Sequence, residues 1–335
     1  MTDELRPLDR QTFCAQHLMT TTPPIWHDRN KLEVFAIACP PGSVHGGQLE
    51  YTRWPDVALP AQGAWVGIKD TVEHREGVYD YVPLAEGRNA CEWHVNFADP
   101  NLFVAYGSPL LAQDELQVLE HPALGALKEA LGAARTPMLT TERGRPTPIL
   151  VLGAERRCKV ATDRSVDEGR PDGLYGQAFA RATLETVRRA TRRVEPPTVT
   201  NLIAMTAPSG GYGRYSASEV ENILATAWSA FRAACVETAR HAGTDCSVIV
   251  HTGFWGCGAF GGNRELMAMV QVIAARMAGV RQLVFHTFDR GGTAAFSKAL
   301  CNIEQEFPTA EALPTRRLIE GIAGLGLVWG ESDGN

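Results

Sequence analysis

Glycines 253, 256, 258, 261 and 262 follow directly on a β-branched run, Val248–Val250, and stop at Asn263, a residue type that caps helix N-termini. Beyond them Leu266, Val270, Ile273 and Met277 recur at helical spacing, Gly279 reads as the stop, and Gln282–Phe285 as the next strand. A strand, a glycine loop and a helix N-terminus in that order can hold an anion. Backbone N–H groups close on phosphate oxygens without Cβ interference, and the helix dipole favours negative charge. Trp255 and Phe260 among the glycines offer aromatic surface to a ribose or base, which weighs against a turn that binds nothing. A second set lies upstream, where Val95–Ala98 reads as a strand running into a loop that contains Gly107. That loop ends at the adjacent carboxylates Asp114 and Glu115 on the first turn of a helix. Taken alone, these acids need no more explanation than the helix dipole they complement.

The elements that must position these residues alternate from Trp93 onward. Trp93–Ala98 reads as a strand, and Leu110–Leu119 and Ala123–Leu131 as helices split by Pro122 and ended by Gly132. Pro148–Leu152 is a buried strand, Gly173–Arg192 a helix and Thr198–Met205 a strand. Ser218 with Glu221 forms a capping box for a long helix with Val220, Ile223, Leu224, Ala227 and Phe231 on one face. The strand Cys246–Val250, the glycine loop with its helix, and the strand Gln282–Thr287 close the series. Strands alternating with helices predict an α/β fold, a mixed or parallel sheet sandwiched between helices.

The first 90 residues are irregular, with Pro23, Pro24, Trp26, Pro40, Pro41, Trp54, Pro55 and Trp65, and one strand at Leu32–Cys39. Their tryptophans need burial, so this stretch is expected to pack on the core. The tail from Thr293 reads as helical and peripheral.

Composition sets the outer bounds. At 335 residues with 44% hydrophobic and 21% charged, the chain has the content of a globular protein. A net charge of −6 provides no global basic field for nucleic acid, so an anionic ligand must be held by local dipoles and a few arginines. The start, MTDELRPLDR, lacks the apolar stretch of a signal peptide, and no apolar run approaches a membrane span. Eight cysteines without a C-x-x-C pair argue against zinc and disulfides and for reduced thiols in the cytoplasm.

Together the two stretches resemble the catalytic domain of the poly(ADP-ribose) glycohydrolases, a family built on an expanded macrodomain. That family carries a loop of three glycines, a spacer and QEE, then a later loop close to TGNWGCGAFGGD. Here the later loop is TGFWGCGAFGGN, Thr252–Asn263, with ten identities in twelve, and Gln271 falls in the following helix. The resemblance covers roughly residues 92–290.

The chain also departs from the pattern. Ala105-Tyr106-Gly107 stands for the three glycines, and five residues later Gln113-Asp114-Glu115 stands for QEE. Asp99 replaces the family's ribose-contacting asparagine, Phe254 and Asn263 alter the second loop, and LGAERRCKV (152–160) lacks the family's tyrosine over the adenine.

The resemblance implies a macrodomain-like mixed sheet with an N-terminal irregular or helical extension. It implies hydrolysis of ADP-ribose adducts on protein or nucleic acid, with no cofactor or metal. Glu115 would be the catalytic acid and Asp114 its partner. Gln113, Asp99, Tyr106 and Gly107 would face the ribose side. Gly253, Trp255, Gly256, Cys257, Gly258, Ala259 and Phe260 would hold the diphosphate and proximal ribose, Cys257 through its backbone. An inward-facing Tyr106 would narrow the cleft and favour single over polymeric ADP-ribose. The implied division is an extension over 1–90, a catalytic core over 91–292 and a tail over 293–335. Two other readings stay open: a macrodomain that binds ADP-ribose without cleaving it, and one that takes another nucleotide diphosphate.

Overall fold

The computed structural model describes residues 5–63, 71–84, 89–307 and 313–334. Trp65 lies outside these residues. The chain opens with β1 (Asp9–Cys14), α1 (Ala15–Thr21), α2 (Arg29–Ala38), β2 (Gln48–Arg53), β3 (Gln62–Gly63) and β4 (Val72–Arg75). There follow β5 (Ala90–Phe97), α3 (Gln113–Glu120), α4 (Ala123–Ala133), β6 (Thr141–Glu142), β7 (Arg145–Pro146) and β8 (Ile149–Val160). Next come α5 (Ala178–Arg181), α6 (Leu184–Ala190), β9 (Thr191–Met205), α7 (Ala217–Ala242), β10 (Ser247–Gly253) and α8 (Arg264–Ala278). The chain closes with β11 (Gln282–His286), α9 (Arg290–Glu306), β12 (Leu313–Pro314) and α10 (Thr315–Gly324).

Among the described residues, eight strands form one mixed sheet in the order β1-β2-β8-β9-β5-β10-β11-β4. The half from β9 to β4 is parallel, and the half from β1 to β9 is antiparallel. Alternation along each strand supplies both faces. Trp93 and Val95 of β5, with Ile203 and Met205 of β9, pack into the core beneath α7 and α8. Leu202 and Ala204 of β9 pack into a second core with α2, α3 and α4. The sheet is therefore sandwiched between helices, as the sequence pattern predicts.

Several local expectations change. The segment at Leu32–Cys39 is helix α2: Asp28 caps it by accepting from the Asn30 and Lys31 N–H groups, and Asn30, Lys31, Val34 and Ala38 are buried at helical spacing. Local capping outweighs the β-branched character of Val34 and Ile37. The expected helix Gly173–Arg192 is two short ones, because Thr183 accepts from Thr186 N–H and starts α6 anew, and β9 begins at Thr191. The capping box of α7 is Ser216 with Glu219, half a turn before the expected pair. Both pairs fit the motif, and the Trp329 indole, donating to Glu219 at 3.1 Å, favours the earlier one. The first 90 residues contribute β1, β2 and β4 to the main sheet, and Trp26 and Trp54 are buried.

The face of β5 beneath α3 carries polar residues. His94 stacks on His251 of β10 at 4.3 Å and on Tyr81 at 4.6 Å, and His251 Nδ1 lies 3.3 Å from His286 Nε2 of β11. Burial holds His94 well below the usual histidine range and His286 down to about 4. A histidine kept neutral in the fold takes up its proton only on unfolding. Its cost is absent above the ordinary histidine pKa near ~6.5 and grows as pH falls toward the folded value. Wild type should therefore lose roughly 1.4 kcal/mol more unfolding free energy per pH unit than His286→Gln between pH 6 and 5. Urea unfolding of both proteins at the two pH values checks this, and equal losses would count against a neutral His286.

Candidate active site

Both sequence-predicted stretches meet in one cavity of about 140 Å³ at the C-terminal ends of β5 and β10. One wall is the strand end and helix start: Phe97, Ala98, Asp99, Ala112, Gln113, Asp114 and Glu115. The other is the glycine loop: Trp255, Gly256, Gly258, Ala259 and Phe260. This is the crevice at strand C-termini where α/β sheets bind ligands.

The first wall is built by side chains tying α3 to β5. Gln113 Oε1 accepts from Phe97 N–H at 2.7 Å and its Nε2 donates to Val95 O at 3.1 Å. Gln113 thus clamps the helix start to the strand. Asn96 donates to Asp114 Oδ1 at 2.9 Å, while Asp114 Oδ2 is buried without a partner among the described residues. Glu115 is 2% exposed and accepts from Ala112 N–H at 3.0 Å. Ala112 has no side-chain acceptor to return, so only half a capping box is made. Oxygens of Asp99, Asp114 and Glu115 lie within 4.8 Å of one another. Burial pushes all three carboxyls up. For Asp114, raised well above the usual range, the charge of Glu115 adds to burial. Against burial, backbone donors and the Lys31 ammonium pull Glu115 down.

The second wall has unused donors. The Cys257 N–H is taken by Phe254 O at 3.0 Å and the Gly261 N–H by Gly258 O at 3.0 Å. Those of Gly256, Gly258, Ala259 and Phe260 have no protein partner among the described residues. Gly256 must be glycine: its φ is +73° and a Cβ would lie 2.3 Å from that of Ala207. Trp255 is 1% exposed and donates to Met205 O at 2.9 Å, so its ring anchors the loop in the core. Asn263 caps α8 as expected, accepting from Glu265 and Leu266 N–H. The tail reaches this loop, with Gly330 N–H donating to Gly261 O at 2.8 Å.

Tyr106, Gly107, Gly253 and Cys257 do not line the cavity. Tyr106 faces inward, but into the second core rather than the cleft. Its hydroxyl accepts from Ile25 N–H at 2.7 Å and donates to Glu129 at 2.6 Å, and its ring meets Trp26 edge-on at 5.1 Å. Gly107 leaves room for the chain above it, since a Cβ there would lie 2.4 Å from Ile25 O. The segment around Ile25 therefore covers the loop 105–107, and the expectation that Tyr106 sets substrate length is corrected. Tyr106→Ala should instead cost about 3–5 kcal/mol of stability, as buried aromatic truncations do. Chemical denaturation measures it, and a loss under ~1 kcal/mol would show the ring is not core.

Sequence reasoning passed over two residues here. Tyr175 lines the cavity between its walls, delivered by the irregular chain where a helix was expected. Lys31 is fully buried on α2 and bonds Tyr106 O at 2.6 Å. Neither carries a local motif.

Comparison with known proteins bears on the second half of the chain. The sequence profile of the family described as Poly (ADP-ribose) glycohydrolase (PARG), Macro domain fold, matches residues 174–294. No curated protein matches the chain. Similar solved structures include a poly(ADP-ribose) glycohydrolase from Thermomonospora curvata, 17% identical, covering 81% of this chain and 97% of that one, with a TM-score of 0.49. Another is the poly(ADP-ribose) glycohydrolase from Deinococcus radiodurans in complex with ADP-ribose, 12% identical, covering 88% and 95%, with a TM-score of 0.39. The matched residues 174–294, which hold Tyr175 and the whole glycine loop, are similar to the macro-domain part of the poly(ADP-ribose) glycohydrolase family.

Proposed function

We propose that the chain is a glycohydrolase that breaks the ribosyl bond of poly- or mono-ADP-ribose adducts and releases ADP-ribose. The observation that supports this most is the one cavity shared by the acid turn 113–115 and the unused N–H groups of Gly256, Gly258, Ala259 and Phe260. A diphosphate on those donors brings its ribose toward the opposite wall. There the leaving oxygen must be protonated as the bond to the anomeric carbon lengthens, because the transition state is oxocarbenium-like. Glu115, raised by burial, holds that proton, and once ionised it activates the water that completes hydrolysis. Asp114, fixed by Asn96, and Asp99 orient the ribose hydroxyls. Cys257 takes no chemical part: burial pushes its thiol well up, out of the range of a nucleophile.

The division into extension (1–90), core (91–292) and tail (293–335) is part of this reading, as is a cytoplasmic location. No described helix is long and apolar enough to cross a membrane.

A binding module that reads ADP-ribose without cleaving it is the second reading. It is favoured by Glu115 being engaged at the start of its own helix. Incubation with poly(ADP-ribose), mono-ADP-ribosylated protein and ADP-ribosylated nucleic acid separates the two. Free ADP-ribose from at least one substrate is expected. Tight calorimetric binding of ADP-ribose without release from any would select the binding module.

A further inference from the structure

Lys31 is 0% exposed, and among the described residues its ammonium makes one hydrogen bond, to the Tyr106 carbonyl. No carboxylate among the described residues comes within ion-pair distance of it, although Glu115, Asp28 and Asp114 all act on it. A buried ammonium so sparsely compensated is expensive to keep unless its field is used. Helix α2 holds it firmly. Asp28 accepts from the Asn30 and Lys31 N–H groups at 2.9 and 3.0 Å, and Asn30 donates to Phe179 O at 2.7 Å. Helix α2 packs against α3, and the ammonium is tied to the loop that leads into it, so the charge stands at a fixed place supplied from outside the stretch that carries the family resemblance.

We propose that Lys31 is a positioning residue for the acid pair, gripping the loop 105–107 by the Tyr106 carbonyl and setting a fixed positive charge on the helix that packs against the first turn of α3. The catalytic consequence rests on the reading of Glu115 as the acid, whereas the electrostatic part does not. Other charges and titratable groups act on the same set: Asp114 and Asp99 lie within 4.8 Å of Glu115, Tyr175 is within electrostatic reach of Glu115 and Lys128 of Asp114, and Asp28 acts on Lys31 from its own helix cap. Burial brings Lys31 down to about 8, so it is charged at neutral pH.

The experiment is carbon-13 carboxyl titration of the full chain, with the Glu115 signal identified by Glu115→Gln. Lys31→Met should raise the Glu115 midpoint by about one pH unit, and Lys31→Arg should restore most of it. An unmoved midpoint in Lys31→Met overturns the proposal. Should Lys31→Met not fold, the reciprocal measurement decides: the Lys31 midpoint must fall in Glu115→Gln, and a fixed one overturns the proposal. The alkaline limb of kcat/KM for ADP-ribose release should move up with the Glu115 midpoint in Lys31→Met. If the midpoint moves and the limb does not, Lys31 acts as proposed and Glu115 is not the acid.

Discussion

Glu115→Gln is expected to lose most of the turnover, roughly 10²–10⁴-fold, while ADP-ribose affinity stays within a few-fold. Glutamine keeps the shape of the side chain, and its carbonyl can still accept from Ala112 N–H, so the first turn of α3 should hold. What it lacks is the proton. Steady-state release of ADP-ribose beside calorimetric binding separates the two quantities. Activity above a tenth of wild type would transfer the role to a neighbouring acid, Asp114 first, since it is buried and points one unpartnered oxygen into the same group.

Gly258→Val should act on binding instead. Gly258 lines the cavity, and a Cβ there would meet no backbone, only the Asp333 carboxylate of the tail at 3.0 Å. The variant should therefore fold, with a melting temperature close to wild type. Its branched side chain would keep a diphosphate away from the donors of the loop. Losing one charge-assisted hydrogen bond is worth about 1.5–3 kcal/mol, or a tenfold or greater fall in affinity for ADP-ribose. Unchanged affinity in a folded variant would show that the loop Thr252–Asn263 is not the phosphate site.

The parts of this site that could be read in the sequence are those whose physics is local. The glycine loop, the Asn263 cap and the Gly279 stop each need only a few neighbouring residues to define them, and the structure has all three, with Gly279 at φ +84°. Local rules also compete. Two capping boxes overlap at Ser216–Glu221, and a tertiary contact from Trp329 marks the one that is used. The strand expected at Leu32–Cys39 failed for a related reason: a single Asp28 side chain starts a helix that residue types alone disfavour.

Tyr106, Lys31 and Tyr175 were not legible because their positions depend on chain far away. Ile25 N–H and Glu129 fix the Tyr106 ring in the second core. A helix from the first 40 residues brings Lys31 to α3, and an irregular stretch after β8 brings Tyr175 to the cavity. Even Gln113, part of a recognisable motif, spends its amide on tying strand to helix. A motif names residue types, and only packing decides which of their atoms remain for a ligand.

The central claim is that the acid turn and the glycine loop act on one ligand. A crystal structure of Glu115→Gln soaked with ADP-ribose tests it most directly. Phosphate oxygens are expected on the N–H groups of Gly256, Gly258, Ala259 and Phe260, with the anomeric oxygen of the distal ribose within about 2.6–3.2 Å of the side chain at position 115. ADP-ribose bound with its phosphates away from that loop, or with its anomeric carbon turned from α3, would contradict it.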